Sequence, residues 1–193
     1  MKKRLKINGV LIFISAALII LFPHIFLRRY SAVLADQAVR ISGVLLVIIG
    51  QLLRVSARGY KAENSGNGKL LIQGGPYALV RNPMYLGILL IGIGMGGALF
   101  KYWVVFAFII IFIFRYLMLI FSEEKKLLGV FGNAYLEYSS KVPRLLPPLR
   151  KLFTGDILGS VPLKPEWLYK EIGSIVAVLS AIVFLWCWGL IRG

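Results

Sequence analysis

The feature that most constrains this chain is a series of apolar runs. At 1.5 Å per residue, about twenty helical residues cross the ~30 Å hydrocarbon layer of a bilayer. Runs of that order occur at Gly9–Leu27, Ile41–Ala57, Met84–Phe100, Tyr102–Phe121 and Ile172–Ile191. They predict an all-α, polytopic membrane bundle of about five transmembrane helices. The third run is short and is joined to the fourth by almost no loop, so these two form a tight helical hairpin. A mean hydropathy of +0.80 and a hydrophobic content of 59% agree with that class.

The opening "MKKRLK" and the apolar run behind it have the outline of a signal peptide. The run is too long, however, and lacks a small-residue cleavage site, so a retained first helix is expected. The formal net charge is +15. Its basic residues flank apolar runs instead of forming a soluble domain, so no nucleic-acid partner is expected. Outside the spans, only Arg28, Arg29, Arg40, Lys101 and Arg192 fall on the side opposite Lys2 when the chain is threaded through the five runs. The positive-inside rule then gives a cytoplasmic N-terminus and an external C-terminus, with cytoplasmic segments that attract anionic lipid headgroups. Cys187 lies inside the last run, where it reads as packing and leaves no disulfide framework.

In this topology residues 58–83 and 122–171 share the cytoplasmic face, and the chemically unusual residues gather there. The first segment holds the flexible "ENSGNGK" and then "LLIQGGPY", a short strand or extended piece ending in a turn. The second continues the fourth span as an amphipathic helix. It stops around Gly132, re-forms through Tyr138 and ends at Pro143. Asn82 before Pro83 is a strong helix start, because Asn can cap free amides and Pro suits the first turn. The positive end of that helix, beside Arg81, reads either as an anion site or as a cap with a snorkelling arginine.

Glu123 and Glu124 are adjacent at the cytoplasmic end of the fourth span, pointing about 100° apart on a helix. Either one faces the bundle while the other pairs with Lys126 or Arg81, or both are a solvated helix end. Arg115 lies deeper; it is a functional or packing group, or it snorkels toward Glu123. A ligand matching these parts has an anion for Arg81 and the helix start, a cation for a glutamate and an aromatic ring for an apolar cleft. S-adenosylmethionine has all three, and its sulfonium suits faces such as Tyr77, Tyr85 or Tyr135.

The stretch "GPYALVRNPMYLG", an apolar hairpin and "EEKKLLGVFGNAYLEYSSKVPRLLP" together resemble the isoprenylcysteine carboxyl methyltransferase and phospholipid methyltransferase superfamily. The resemblance covers roughly Gly74 to Pro148. It implies an integral-membrane enzyme that uses S-adenosylmethionine without a Rossmann domain. Arg81, Asn82, Pro83 and Tyr85 fall in the family's Arg-His-Pro-x-Tyr element, with Leu86 beside them, and Gly75, Pro76 and Tyr77 fall in the preceding turn. Glu123 and Glu124 fall on the paired glutamates, and Tyr135, Tyr138, Pro143 and Arg144 on the motif that follows. What this implies is a reaction centre at Arg81 and Glu123, with the remaining positions through Glu124, Tyr135 and Arg144 closing over the cofactor from the cytoplasmic side. One integral-membrane domain results: 1–58 an N-terminal two-helix segment, 59–150 the methyltransferase core, and 151–193 an interfacial segment with an additional C-terminal helix.

The family's usual histidine is Asn82 here, which cannot accept a proton or change charge near neutral pH. His24, the chain's single histidine, lies near the outer side. The chemistry left open is methyl transfer to an already ionised, membrane-resident acceptor, a carboxylate or a thiolate, with Arg81 favouring an acidic group such as the carboxylate of an isoprenylated cysteine, driven by proximity and exclusion of water. The acceptor is lipophilic and enters sideways between helices. "GIGMGG" fits a dinucleotide fingerprint only formally, because it sits mid-span; Gly92 and Gly96 read as close packing in the hairpin. No Cys/His cluster with metal spacing occurs. The rival readings are an NADPH-dependent membrane reductase of the sterol-reductase type and a non-enzymatic membrane scaffold.

Overall fold

The computed structural model describes residues 14–29, 33–148 and 157–192. Residues 14–21 (α1) are helical, followed by α2 (Pro23–Phe26), α3 (Leu34–Asn64), α4 (Pro76–Leu79), α5 (Pro83–Leu99), α6 (Tyr102–Phe131), α7 (Asn133–Lys141), α8 (Ile157–Ser160) and α9 (Pro165–Arg192). Among the described residues α3, α6 and α9 are long and apolar enough to cross a membrane, and α5 is a shorter apolar helix. The all-α bundle is as expected, and among the described residues the one isolated backbone bridge, Leu27 with Phe100, belongs to no strand.

The expected first span is corrected in its described part. The helix breaks at Phe22 and a separate turn starts at Pro23, whose ring and missing N–H stop a helix from running through. Residues 9–13 of that span, and the N-terminal basic run, lie outside the described residues. The chain then crosses to the α5–α6 turn, where Arg28 N–H donates to Leu99 O and Lys101 N–H to Phe26 O, both at 2.9 Å. The second, fourth and fifth spans sit inside longer helices of 31, 30 and 28 residues. The stretch expected as strand or extended chain, residues 71–73, is irregular.

The centre of the bundle is the antiparallel pair α3 and α5. A Cβ on Gly43 would lie 2.6 Å from Gly94 O, and one on Gly50 would lie 2.7 Å from Gly87 O. Backbone therefore meets backbone at two levels, with the fully buried Val47 between them. In lipid, where apolar surface gains little by leaving its solvent, such close approach supplies the dispersion contacts that hold helices together. The opposite face of α5 packs on α6 as the G-x-x-x-G spacing implies: a Cβ on Gly92 would meet the Phe108 ring and one on Gly96 would meet Val105. Farther along, Tyr85, Phe112 and Ile120 form a buried cluster between these two helices.

α9 is fixed to α3 at one end. Glu63 takes bonds from Lys164 Nζ at 2.6 Å and Trp167 Nε1 at 2.7 Å, and Ser56 Oγ donates to Pro162 O at 2.6 Å.

Gly43→Ala is expected to lower stability by about 1–3 kcal/mol through overpacking against backbone. Gly97→Ala is the control, since its Cβ would meet only Val39 Cγ1 at 3.9 Å; it should change stability by less than about 1 kcal/mol, toward stabilisation. Thermal unfolding of both variants in one detergent checks the pair.

Candidate functional site

Gly75, at φ +57, turns the chain into α4, and Tyr60 covers that turn so closely that a Cβ on Gly75 would lie 2.7 Å from its ring. After α4 the extended Val80 and a bend at Arg81 lead to Asn82, and Arg81 N–H donates to Pro143 O at 2.8 Å. Gly132, at φ +51, ends α6 and starts α7, where Tyr135 and Tyr138 are buried. These two glycines, the α3 end and the segment at Pro143 bring the quoted motifs into one place.

Glu124 is the hub. It is 8% exposed, and three donors converge on it: Asn82 Nδ2 at 3.2 Å, Arg144 Nε at 3.0 Å and Arg81 Nη1 at 3.4 Å. Two guanidinium groups share one carboxylate, which leaves a net unit of positive charge. Asn82 Nδ2 also reaches Arg144 O at 3.0 Å. Asn82 stands at the N-cap position of α5, but its side chain does not cap. The expected capping role is corrected: the side chain is turned so that Nδ2 donates to Glu124 and the Arg144 carbonyl, and its oxygen, the atom that would cap, accepts no α5 amide. The glutamates do diverge, and the inward one is itself the partner of Arg81. Glu123 instead accepts from Tyr85 OH at 2.8 Å. Arg115 is exposed on α6.

A cavity of about 160 Å³ lies beside this cluster. Of the expected site residues, Tyr77, Arg81, Asn82 and Tyr135 line it. Glu124 and Arg144 stand behind Arg81 and Asn82, while Tyr85 and Glu123 meet on the α6-facing side of α5. Gly75, Pro76, Pro83 and Leu86 shape the surrounding backbone and core without lining the cavity. The sequence reading missed Lys61 and Ser65 at the end of α3, the apolar wall of Leu70 and Ile72, and Phe131. The one signal for Phe131 and Tyr135 is their four-residue spacing across Gly132.

Two buried donors in the cluster, Arg81 Nε and Tyr135 OH, have no hydrogen-bond partner. Unsatisfied buried groups of this kind call for an explanation, and a ligand acceptor is one. An excess positive charge with two such donors fits a carboxylate, and the neighbouring tyrosines fit a cation. Burial pushes the phenols of Tyr77, Tyr135 and Tyr138 above the ordinary tyrosine range; at Tyr135 Glu124 adds to this and Arg81 opposes it. All three remain neutral O–H donors at neutral pH. Tyr138 OH donates to Tyr77 O at 2.7 Å, tying α7 to α4.

Removing the hub carboxylate leaves Arg81 buried without a counter-charge. Glu124→Ala is expected to cost about 3 kcal/mol, and the double variant with Arg81→Ala less than the sum of the single costs, as a thermal double-mutant cycle would read. The raised phenols give a pH signature. Their contribution is fully present below about pH 10, where unfolded tyrosine titrates, and is lost as pH rises toward the folded values. Stability should therefore fall above that point, and Tyr138→Phe should reduce the slope by about 1.4 kcal/mol per pH unit; midpoints measured from pH 8 to 11 test this.

The model of the family described as phospholipid methyltransferase matches residues 38–134, from within α3 to the start of α7. Protein-S-isoprenylcysteine O-methyltransferase of Saccharomyces cerevisiae is 32% identical over 130 residues, 63% of this chain and 54% of that protein. The chain thus spans about half the length of this curated relative. No solved structure matches. The three long apolar helices make the chain an integral membrane protein. The matched region carries the close-packed α3–α5 pair, the Glu124 hub and most of the cavity wall, and the chain belongs to the phospholipid methyltransferase family.

Proposed function

We propose that this chain is an integral-membrane methyltransferase that holds S-adenosylmethionine in the cavity between the end of α3, residues 68–72 and α7, and methylates a carboxylate on a lipid-like acceptor. The observation that carries the reading is the net positive cluster of Arg81, Arg144 and Glu124 with two unpartnered buried donors beside the cavity. The family match and the relative's activity toward an isoprenylated cysteine support the reaction class. The excess of basic residues at this end orients it toward the cytoplasm.

When bound, the cofactor supplies an activated methyl group, whose C–S bond breaks as a C–O bond to the acceptor forms. The protein's part is placement. Arg81 Nε and Tyr135 OH receive a carboxylate, and Glu124 holds Arg81 in place. Leu70, Ile72 and Phe131 offer an apolar wall to an aromatic ring. Glu123, fixed by Tyr85, presents a carboxylate toward positive charge on the α6 side. Asn82 cannot take up a proton, so the acceptor arrives ionised, and rate comes from alignment and exclusion of water. At 160 Å³ the cavity is smaller than the ~300 Å³ of ordinary ligand pockets. Admitting the whole cofactor therefore requires the cavity to widen.

Calorimetric titration of the purified protein with S-adenosylmethionine and S-adenosylhomocysteine, with NADPH as control, tests the reading. Saturable binding of both adenosyl ligands is expected, weakened at least tenfold by Arg81→Ala and about fivefold by Tyr135→Phe, the equivalent of one neutral hydrogen bond. Glu123→Gln should lower kcat more than affinity. Folded wild-type protein that ignores both adenosyl ligands, or that takes NADPH instead, would sink the proposal.

A further inference from the structure

At the end of the bundle opposite the candidate site, α9 stands away from α3. It is anchored along α3 by the Glu63 and Ser56 contacts and by Gln51 Nε2 donating to Ser174 Oγ at 3.1 Å. Near its finish Trp188 Nε1 donates to Ile20 O at 3.1 Å. Between these anchorages a groove of about 330 Å³ opens, walled by Ile41, Val44, Leu45, Leu99, Ile182 and Trp186, with Arg40 at its outer end. A void of this size forfeits dispersion contacts along its whole lining. Water gains nothing there either, since an apolar wall offers no hydrogen-bond partners. Hydrocarbon is the occupant that matches the walls.

The groove's outer end adds a requirement of its own. Arg40 and Arg28 are both ion-paired to Asp36, so two guanidinium groups share one carboxylate. Arg29, whose carbonyl accepts from Arg40 Nη2 at 2.7 Å, and Lys101, whose Nζ reaches His24 O at 2.7 Å, bring further positive charge to the same end. Among the described residues Asp36 is the acidic group there. A slot for one chain that ends in excess positive charge, at the depth where an outer-leaflet headgroup sits, calls for an amphipath with a negative head.

We propose that this groove holds one acyl chain of an anionic phospholipid, with its phosphate against Arg28 and Arg40. The site is separate from the cavity of the proposed methyl transfer and does not depend on it. The lipid fills the gap between α9 and the α3–α5 pair, so its effect is on stability.

The test compares dioleoyl phosphatidylglycerol, dioleoyl phosphatidylcholine and inorganic phosphate, each added to the full chain in detergent, by thermal midpoint and by native mass spectrometry. Phosphatidylglycerol is expected to raise the midpoint at least twice as far as phosphatidylcholine, with one molecule retained per chain. Leu45→Trp, which fills the groove from a half-exposed position, should abolish that shift while leaving the lipid-free midpoint in place. Arg40→Gln should remove the preference between the two lipids. Equal shifts from both lipids, a full shift from inorganic phosphate alone, or an undiminished shift in Leu45→Trp would each overturn the proposal. So would a lipid-free dimer that Leu45→Trp converts to monomer, because a second copy would then be the occupant.

Discussion

Where Gly43 and Gly50 on α3 meet Gly94 and Gly87 on α5, no side chain stands between the backbones, and a Cβ at any of the four would fall within 2.7 Å of a carbonyl oxygen. Helices this close cannot slide past one another without collision, so their register is fixed. That register decides where the end of α3 lies relative to the start of α5. Lys61 and Ser65 consequently face Arg81 and Asn82 across one cavity. A shift of one helical turn, about 5.4 Å, would separate them. The α6-facing glycines on α5 extend the same logic to the hairpin, which brings the glutamates to the site.

The residues that give the site its charge also hold the fold together there. Glu124 comes from α6, Arg81 and Asn82 from the turn before α5, and Arg144 from the chain after α7. Three segments that would otherwise part at the membrane surface are joined through one carboxylate. Burying that carboxylate is favourable only because its acceptor sites are filled by fixed donors. Asn82 bridges Glu124 and the Arg144 carbonyl without titrating. It therefore adds no titrating group of its own to the cluster, where a histidine would.

Much of this arrangement was legible in the sequence. Hydropathy located α5 to within a residue at each end, and Gly132 marked the break after α6, because glycine readily takes a positive φ. Helix lengths were less legible. A reading based on bilayer thickness stops where lipid stops, whereas α3 and α6 run on to Asn64 and Phe131. Pro23 carried a local signal of the break at Phe22 that the length of the apolar run outweighed. Spacing alone predicted that Glu123 and Glu124 would diverge, but which one turns inward depends on where α5 stands. Lys61 and Ser65 could not be tied to the motif at Arg81 from sequence, since only helix packing brings them together.

α5 has 17 residues, about 25 Å of helix, against roughly 30 Å of hydrocarbon in an average bilayer. Polar groups close it at both ends: Asn82 with its carboxylate neighbour on one side, Lys101 on the other. No residue of α5 is exposed, so its neighbours stand between it and the lipid, and its polar ends are held inside the bundle while α3 and α6 run on past it. The Asn82 end, with the Glu124 cluster, therefore lies below the level that α3 and α6 reach. Under the proposed function, a lipid-borne carboxylate that reaches this level keeps its tail in hydrocarbon, so the acceptor need not climb out of the bilayer.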